Sequence, residues 1–409
     1  MRRGGLENPK PVKRVEVNEK NIGLRIALFV VAVLVAVAAL SYGVVSLLTV
    51  GKGWKSVECS ASNPNVSGDF SFMYNVGASG ADPTAEYRAI TLLYSDLCEK
   101  AYQFFGEAED ADGVNNLRYL NNNPNKNVRL GEATYAALKT AAGGGRYVFL
   151  APYYDAYQSL FLSRHDFEAQ IFDPYYSRET AALFDEVNSF VTSDEHVSLS
   201  FFDNNEVRLD VSEQYLAFAG QAGISSFVGL GWMSNAFIID YIADRLILGG
   251  YTCGYITSAD GFTRCLGNAD CTVSILAKRG AVTFTACNTV VSGRASVVRY
   301  NNFPVNAKEG FYVYEDEKVA SHYIDVDGRY CAACSSLTGF SSAYGCGEIV
   351  GSLTAAYIAE SVDINRLSAA KEKGVYAVYV DDTTLYYNNA DIKLTNLYSE
   401  DFTLTERLF

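Results

Sequence analysis

Histidine is nearly missing, with three in 409 residues, so zinc sites built on imidazole pairs and most histidine-based proton relays are hard to assemble. Also lacking are a GxSxG nucleophile elbow, an HExxH helix and a GxxxxGK[ST] phosphate loop, which leaves hydrolase, zinc-protease and P-loop chemistry without support. No low-complexity tract and no repeat of fixed period occurs, so solenoids are excluded. Tryptophan is scarce at 2, whereas 29 Tyr and 23 Phe raise the aromatic share to 13%. That bias favours strands carrying half-buried tyrosines.

Positive charge is confined to one end. Residues 1–25 hold seven Lys or Arg against three Glu, giving +4, so the remainder carries −18 of the net −14. An acidic body of that size repels phosphate backbones, and no basic patch interleaved with aromatics offsets it. Nucleic acid is excluded as a partner.

From Ile26 to Val50 the chain has no charged residue. At about 1.5 Å per helical residue this run exceeds the roughly 30 Å of a bilayer core, and it is longer than the roughly 7–15 apolar residues of a cleaved signal peptide. The expectation is a cytoplasmic basic tail over 1–25, a transmembrane helix over 26–50, a linker over 51–69 and an extracytoplasmic domain over 70–409. The basic residues before the span set this orientation, and the protein would sit in the cell membrane as a single-pass chain. Nine cysteines then lie where disulfides can persist. Cys331-Ala-Ala-Cys334 could be a redox pair, half of a zinc site or two structural thiols.

Within the domain, Phe70–Val76 reads as a strand, and Asp82-Pro83 starts a helix that runs to Gly106. The stretch 115–130 reads as loop. A short helix stops at Gly143 to Gly145 and another covers Arg178–Val191. Alternating patterns over 281–326 predict an antiparallel sheet, residues 348–361 a helix, and the end of the chain a hairpin turning near Asp381-Asp382. The fold class is α+β in one large domain.

Residues 229–240, GLGWMSNAFIID, form a glycine-punctuated turn running into a helix that Gly249-Gly250 ends. Further landmarks follow in order: Thr257-Ser258-Ala259-Asp260-Gly261, then His322-Tyr323-Ile324-Asp325, then Gly347-Glu348-Ile349-Val350-Gly351-Ser352. Over roughly residues 70–365 this succession resembles the ApbE-like FAD:protein FMN transferases. The resemblance implies a T-fold-related arrangement of antiparallel sheets with packed helices, and transfer of FMN from FAD to a Thr or Ser of an acceptor protein with Mg2+. It further implies that Gly231, Asn235, Asp240, Thr257 and Ser258 contact FAD, that His322 and Asp325 act in catalysis, and that Glu348 and Ser352 hold the metal.

Several charged groups of the family's pattern are replaced. Gly229 stands for its leading Asp, Trp232 for its second Gly, Asn235 for its Lys, and Val148 for the acid of its TGGAFD segment, which falls on Gly143–Val148. The alternative reading is a catalytically degenerate ApbE-like binding or scaffold protein on the cell surface. Each residue also has a structural role open to it: Gly231 in a tight turn, Asp240 in an ion pair, His322 packed in a strand, Asp325 in a turn, Glu348 at a helix N-terminus. His165 and His196 lie in charged contexts and are expected in solvent.

Overall fold

A computed structural model describes residues 26–37, 39, 49–60, 70–107, 111, 113–268, 270–280, 282–305, 310–389, 392–397 and 403–406. The chain divides into two units at Gly51/Lys52. In the first, residues 26–37 are helical and carry exposed apolar side chains such as Leu28, Phe29 and Leu34. Among the described residues no helix is long and apolar enough to cross a membrane. The tail 1–25 and residues 40–48 of the apolar run lie outside the described residues.

The second unit is mixed α+β. Its strands are β1 (Gly53–Ser56), β2 (Phe70–Val76), β3 (Asn127–Arg129), β4 (Val197–Phe201), β5 (Glu206–Val211), β6 (Gly254–Ser258), β7 (Phe262–Cys265), β8 (Cys271–Arg279) and β9 (Val282–Val291). They continue as β10 (Ser296–Asn301), β11 (Phe311–Val313), β12 (Val319–Ser321), β13 (Ser336–Ser341), β14 (Tyr376–Asp381), β15 (Thr384–Tyr387), β16 (Leu394–Thr395) and β17 (Thr403–Glu406). The helices are α1 (Pro83–Phe105), α2 (Leu117–Asn121), α3 (Glu132–Gly143), α4 (Ala151–Leu162), α5 (Asp166–Phe172), α6 (Arg178–Val191), α7 (Glu213–Ala222), α8 (Ser234–Leu248), α9 (Cys346–Tyr357) and α10 (Ile364–Glu372).

The main sheet runs β1-β2-β6-β7-β10-β13-β14-β15-β17, antiparallel except for the last pair. One face carries Val297, Phe340, Val378, Val380 and Leu385, which pack on Val273, Ile275 and Ala286 of the smaller β16-β9-β8 sheet. The opposite face takes α8 and α9, with α1 laid against α8. Strand alternation produces this split, since neighbouring residues of one strand point to opposite faces. Gly339 of β13 is where α9 comes closest: a Cβ there would stand 2.3 Å from Leu353 Cδ1.

Local chemistry sets the helix ends. Asp82 accepts from the Ala85 N–H at 2.8 Å with Pro83 in the first turn, and Ser177 and Ser212 cap α6 and α7 in the same way. Ile90, Tyr94, Leu97, Ala101 and Phe105 then line the buried face of α1. The hairpin β14–β15 turns through Asp382 at φ +48°. The structure differs from the sequence reading in the stretch 115–130, which holds α2 and β3, and in the expected linker, where β1 pairs with β2. A second small sheet, β3-β5-β4, with α4 and α7 near it in sequence, is also additional.

Candidate functional site

Three segments position the glycine turn that precedes α8. Asn121 holds residues 227–228 from below, accepting from the Phe227 and Val228 N–H groups at 2.8 and 3.0 Å and donating to the Val228 carbonyl at 2.7 Å. The Gly229 N–H donates to the Val148 carbonyl at 2.8 Å. Gly231 follows at φ +51°, and a Cβ on it would lie 2.6 Å from the Tyr154 ring. Both the backbone conformation and the aromatic neighbour require glycine there.

The amides of this turn are already engaged. The Leu230 N–H donates to Glu107 Oε1 at 2.7 Å, and the Gly231 N–H lies near enough to the same carboxylate to stabilise its charge. The Tyr154 hydroxyl lies close to the Trp232 N–H, which offsets part of the effect of its burial. Gly229 makes room for the carboxylate, because a Cβ there would stand 2.7 Å from Glu107 Oε2. Burial raises the Glu107 pKa, with the two amides acting in the opposite direction. A helix-start turn of this kind ordinarily offers its N–H groups to a phosphate; here the chain supplies its own acceptors.

Beside the turn lies a cavity of about 140 Å³ whose walls include Trp232, Asn235, Asp260, Arg299, Asn301 and His322. Asn235 donates through Nδ2 to Asp260 Oδ2 at 2.8 Å. His322 lies parallel to Trp232 at 6.2 Å and edge-on to Tyr323 at 4.3 Å. Burial lowers its pKa to about 3, so the ring is neutral at pH 7. Three buried polar atoms of this cavity's residues find no hydrogen-bond partner among the described residues: Trp232 Nε1, Arg299 Nε and Asn301 Oδ1. Burial pulls the Arg299 pKa down, opposed by Cys271 and Asp260. Orphaned polar atoms of this kind are costly unless a ligand or water meets them.

Asp240 belongs to a different place. Its carboxylate accepts from Arg264 Nη1 at 2.8 Å and from the Cys346 and Gly347 N–H groups, each at 2.8 Å, so it caps α9. Arg264 also pairs with Asp244, one turn along α8, at 2.7 Å. Burial pushes the Asp240 carboxyl up to about 6, against Arg264 and the two amides. These residues line a cleft of about 770 Å³ between α3, α8 and the start of α9, which Glu348 also borders.

The remaining sequence-derived residues are spread out. The Thr257 hydroxyl lies 3.0 Å from that of Thr263, and Ser258 Oγ accepts from the Phe262 N–H at 3.0 Å, so both serve the β6–β7 hairpin. Asp325 sits in a turn, its carboxylate accepting from the next residue's N–H at 2.7 Å while Gly328 donates to its carbonyl at 2.8 Å. Glu348 accepts from the Gly345 N–H at 3.0 Å, and Ser352 Oγ donates to the Glu348 carbonyl at 2.8 Å. Among the described residues no group of three His, Cys, Asp or Glu could hold a metal, and Lys373 borders the same hollow as Glu348 and Ser352. The pair does not fit magnesium, which asks for several oxygen ligands in near-octahedral order. His196, expected in solvent, is partly buried with Nδ1 3.0 Å from Ser212 Oγ and its ring against Phe190.

Thus Asn235 and His322 come together, with Gly231 in the turn beside them, Asp240 and Glu348 form a second group, and Thr257, Ser258 and Asp325 join neither. Glu107, Tyr154, Arg264, Arg299 and Asn301 escaped the sequence reading. Arg264 and Arg299 did carry a signal, as arginines inside strands of otherwise buried residues. No family model matches the chain, and no curated protein matches it in sequence.

Proposed function

We propose that the protein is a membrane-anchored, extracytoplasmic binding module of ApbE-like descent that recognises a flat heterocycle and does not transfer FMN. The observation that carries this reading is the small cavity itself, walled by the rings of Trp232, Phe311, His322 and Tyr323 together with Asn235, Asp260, Arg299 and Asn301. Residues of that wall carry buried polar groups without a partner among the described residues, the N–H donors Trp232 Nε1 and Arg299 Nε and the acceptor Asn301 Oδ1. Two carbonyl oxygens flanking an N–H, as on the pyrimidine edge of a flavin or on uracil, complement that set. At about 140 Å³ the cavity is smaller than the roughly 300–1,000 Å³ of common ligand pockets, so it receives one ring edge and not a whole dinucleotide.

Against transfer stand two features. Glu107 and Tyr154 take up the turn amides that would otherwise meet a pyrophosphate, and the carboxylate and hydroxyl aligned with the family's metal ligands are spent within α9. Support for the anchor is the uncharged apolar run from Ile26 to Val50, whose helical part exposes its side chains. No acceptor protein is then needed as a partner.

The test is a tryptophan-fluorescence titration of the full chain in detergent, with Trp54→Phe leaving Trp232 as the reporter. Riboflavin and FMN are expected to quench it saturably, and Arg299→Met is expected to weaken that response at least tenfold. A response that is absent, or identical in Arg299→Met, rejects the cavity as the binding site.

A further inference from the structure

All nine cysteines are thiols in the structure, and two pairs of them touch. Residues 56–60 run alongside α1: the Tyr87 hydroxyl donates to the Ser56 carbonyl at 2.9 Å, and the Ser60 N–H donates to Ser95 Oγ at 2.8 Å. One turn further along α1 is Cys98, whose pKa burial raises, and the partly exposed Cys59, next to Ser60, is near enough to raise it further. At the far side of the main sheet Cys265 closes β7 and Cys271 opens β8. Both are buried in one small apolar cluster with Ala295, near enough for each thiol to perturb the other.

The other sulfurs face elsewhere. Cys346 Sγ turns to the Thr263 and Val297 carbonyls at 3.4 and 3.6 Å, and Cys334 Sγ to the Ser336 carbonyl at 3.5 Å. Cys331 borders a separate hollow with Tyr330 and Ser335. The CxxC spacing therefore does not bring its own two thiols together as the contacts at Cys59 and Cys265 do.

We infer that Cys59–Cys98 and Cys265–Cys271 are disulfides of the mature protein, while Cys331 and Cys334 stay unpaired. The first bond staples the segment following the apolar run onto α1, and the second closes the β7–β8 connection. The neighbouring side chains rotate to the S–S length of about 2 Å as each bond forms. Each bond forms by exchange with an incoming disulfide, either of a protein oxidant or of oxidised glutathione. A thiolate, Cys59 or Cys271, attacks one sulfur and expels the other as a thiolate. Cys98 or Cys265 then attacks the mixed disulfide. Two protons leave the protein and two electrons end on the oxidant, which departs as two thiols.

The setting in which these bonds persist rests on the extracytoplasmic reading above, but their formation does not. The full chain in detergent is equilibrated with oxidised glutathione, acid-quenched, labelled with N-ethylmaleimide in denaturant, then reduced and labelled with iodoacetamide. Cys59, Cys98, Cys265 and Cys271 are expected to take only the second label, with the two cross-linked peptides in the unreduced digest. In Cys59→Ser, Cys98 is expected to take the first label, and in Cys271→Ser, Cys265. First-label capture of these four in the unmutated chain, or any other cross-linked pattern, overturns the assignment. Failure of the membrane reading, tested separately by protease access to intact cells, would leave this result unaffected.

Discussion

Replacing Asp240 by alanine tests whether that carboxylate builds the fold or meets a ligand. The change deletes the acceptor for Arg264 and for two amides at the start of α9, all at 2.8 Å. Arg264 keeps only Asp244, whose side chain is 62% exposed and therefore well screened. The amides of Cys346 and Gly347 lose their charged cap. Breaking a buried pair in this way costs about 3–5 kcal/mol, because the surviving charge stays buried without its partner. Asp240→Asn keeps an oxygen for the amides and loses the charge, so its cost falls between wild type and alanine. Urea unfolding of the full chain in detergent, followed by circular dichroism at pH 7, reads both values. At that pH Asp240 is ionised, since its pKa of about 6 lies below. A loss for Asp240→Ala within about 0.5 kcal/mol of zero would refute the capping role, since that is the scatter of neutral surface changes.

Other expectations follow from the same geometry. His322 is neutral in the fold with a pKa near 3, against 6.5 unfolded, so its contribution is present above 6.5 and is lost as pH falls toward 3. Between pH 7 and pH 5 the loss is at most about 2 kcal/mol, and comparing wild type with His322→Gln in urea isolates it from Asp240, whose raised pKa acts in the opposite direction over about 4 to 6. Gly231→Ala, with a left-handed backbone and Tyr154 2.6 Å from the new Cβ, is expected to cost about 2–4 kcal/mol. Gly250→Ala is also at positive φ but meets open space, so it is expected to cost only about 1–2 kcal/mol; equal melting shifts for the two would remove the steric argument. Magnesium is expected to leave the melting temperature of wild type, Glu348→Gln and Ser352→Ala unchanged. A rise confined to wild type would restore the pair as a metal site.

How far the sequence reaches is clearest at particular elements. Helix α1 was legible because Asp82-Pro83 and an apolar 3.6 periodicity agree, and α6 because Ser177 precedes a clean amphipathic run. Helix α4 was not, since APYYDAYQSLFL is apolar and aromatic on too many sides to show a stripe. Strand β3 hides in an asparagine-rich stretch where only its partner β5 makes it a strand. At the site, Asn235 and His322 were placed together by the order of landmarks. The replacement at Gly229 looked like simple loss, whereas it admits Glu107 from more than a hundred residues away. Such a substitution in space has no local signature, because the group that fills the position belongs to another segment. For the same reason the landmark pattern points to Thr257 and Ser258, whereas Asp260 of that turn is the residue bonded to Asn235.

The central claim is flavin recognition without transfer, and a nucleotide balance tests it most directly. The full chain is incubated with FAD and magnesium, passed through a desalting column, and the bound and released nucleotides are separated and quantified. The account predicts no AMP above the protein-free blank and no covalently held FMN, while riboflavin, whose ring edge the cavity receives, is retained by the protein in a parallel equilibrium dialysis. Release of AMP with covalently held FMN, or riboflavin that is not retained in that dialysis, would contradict it.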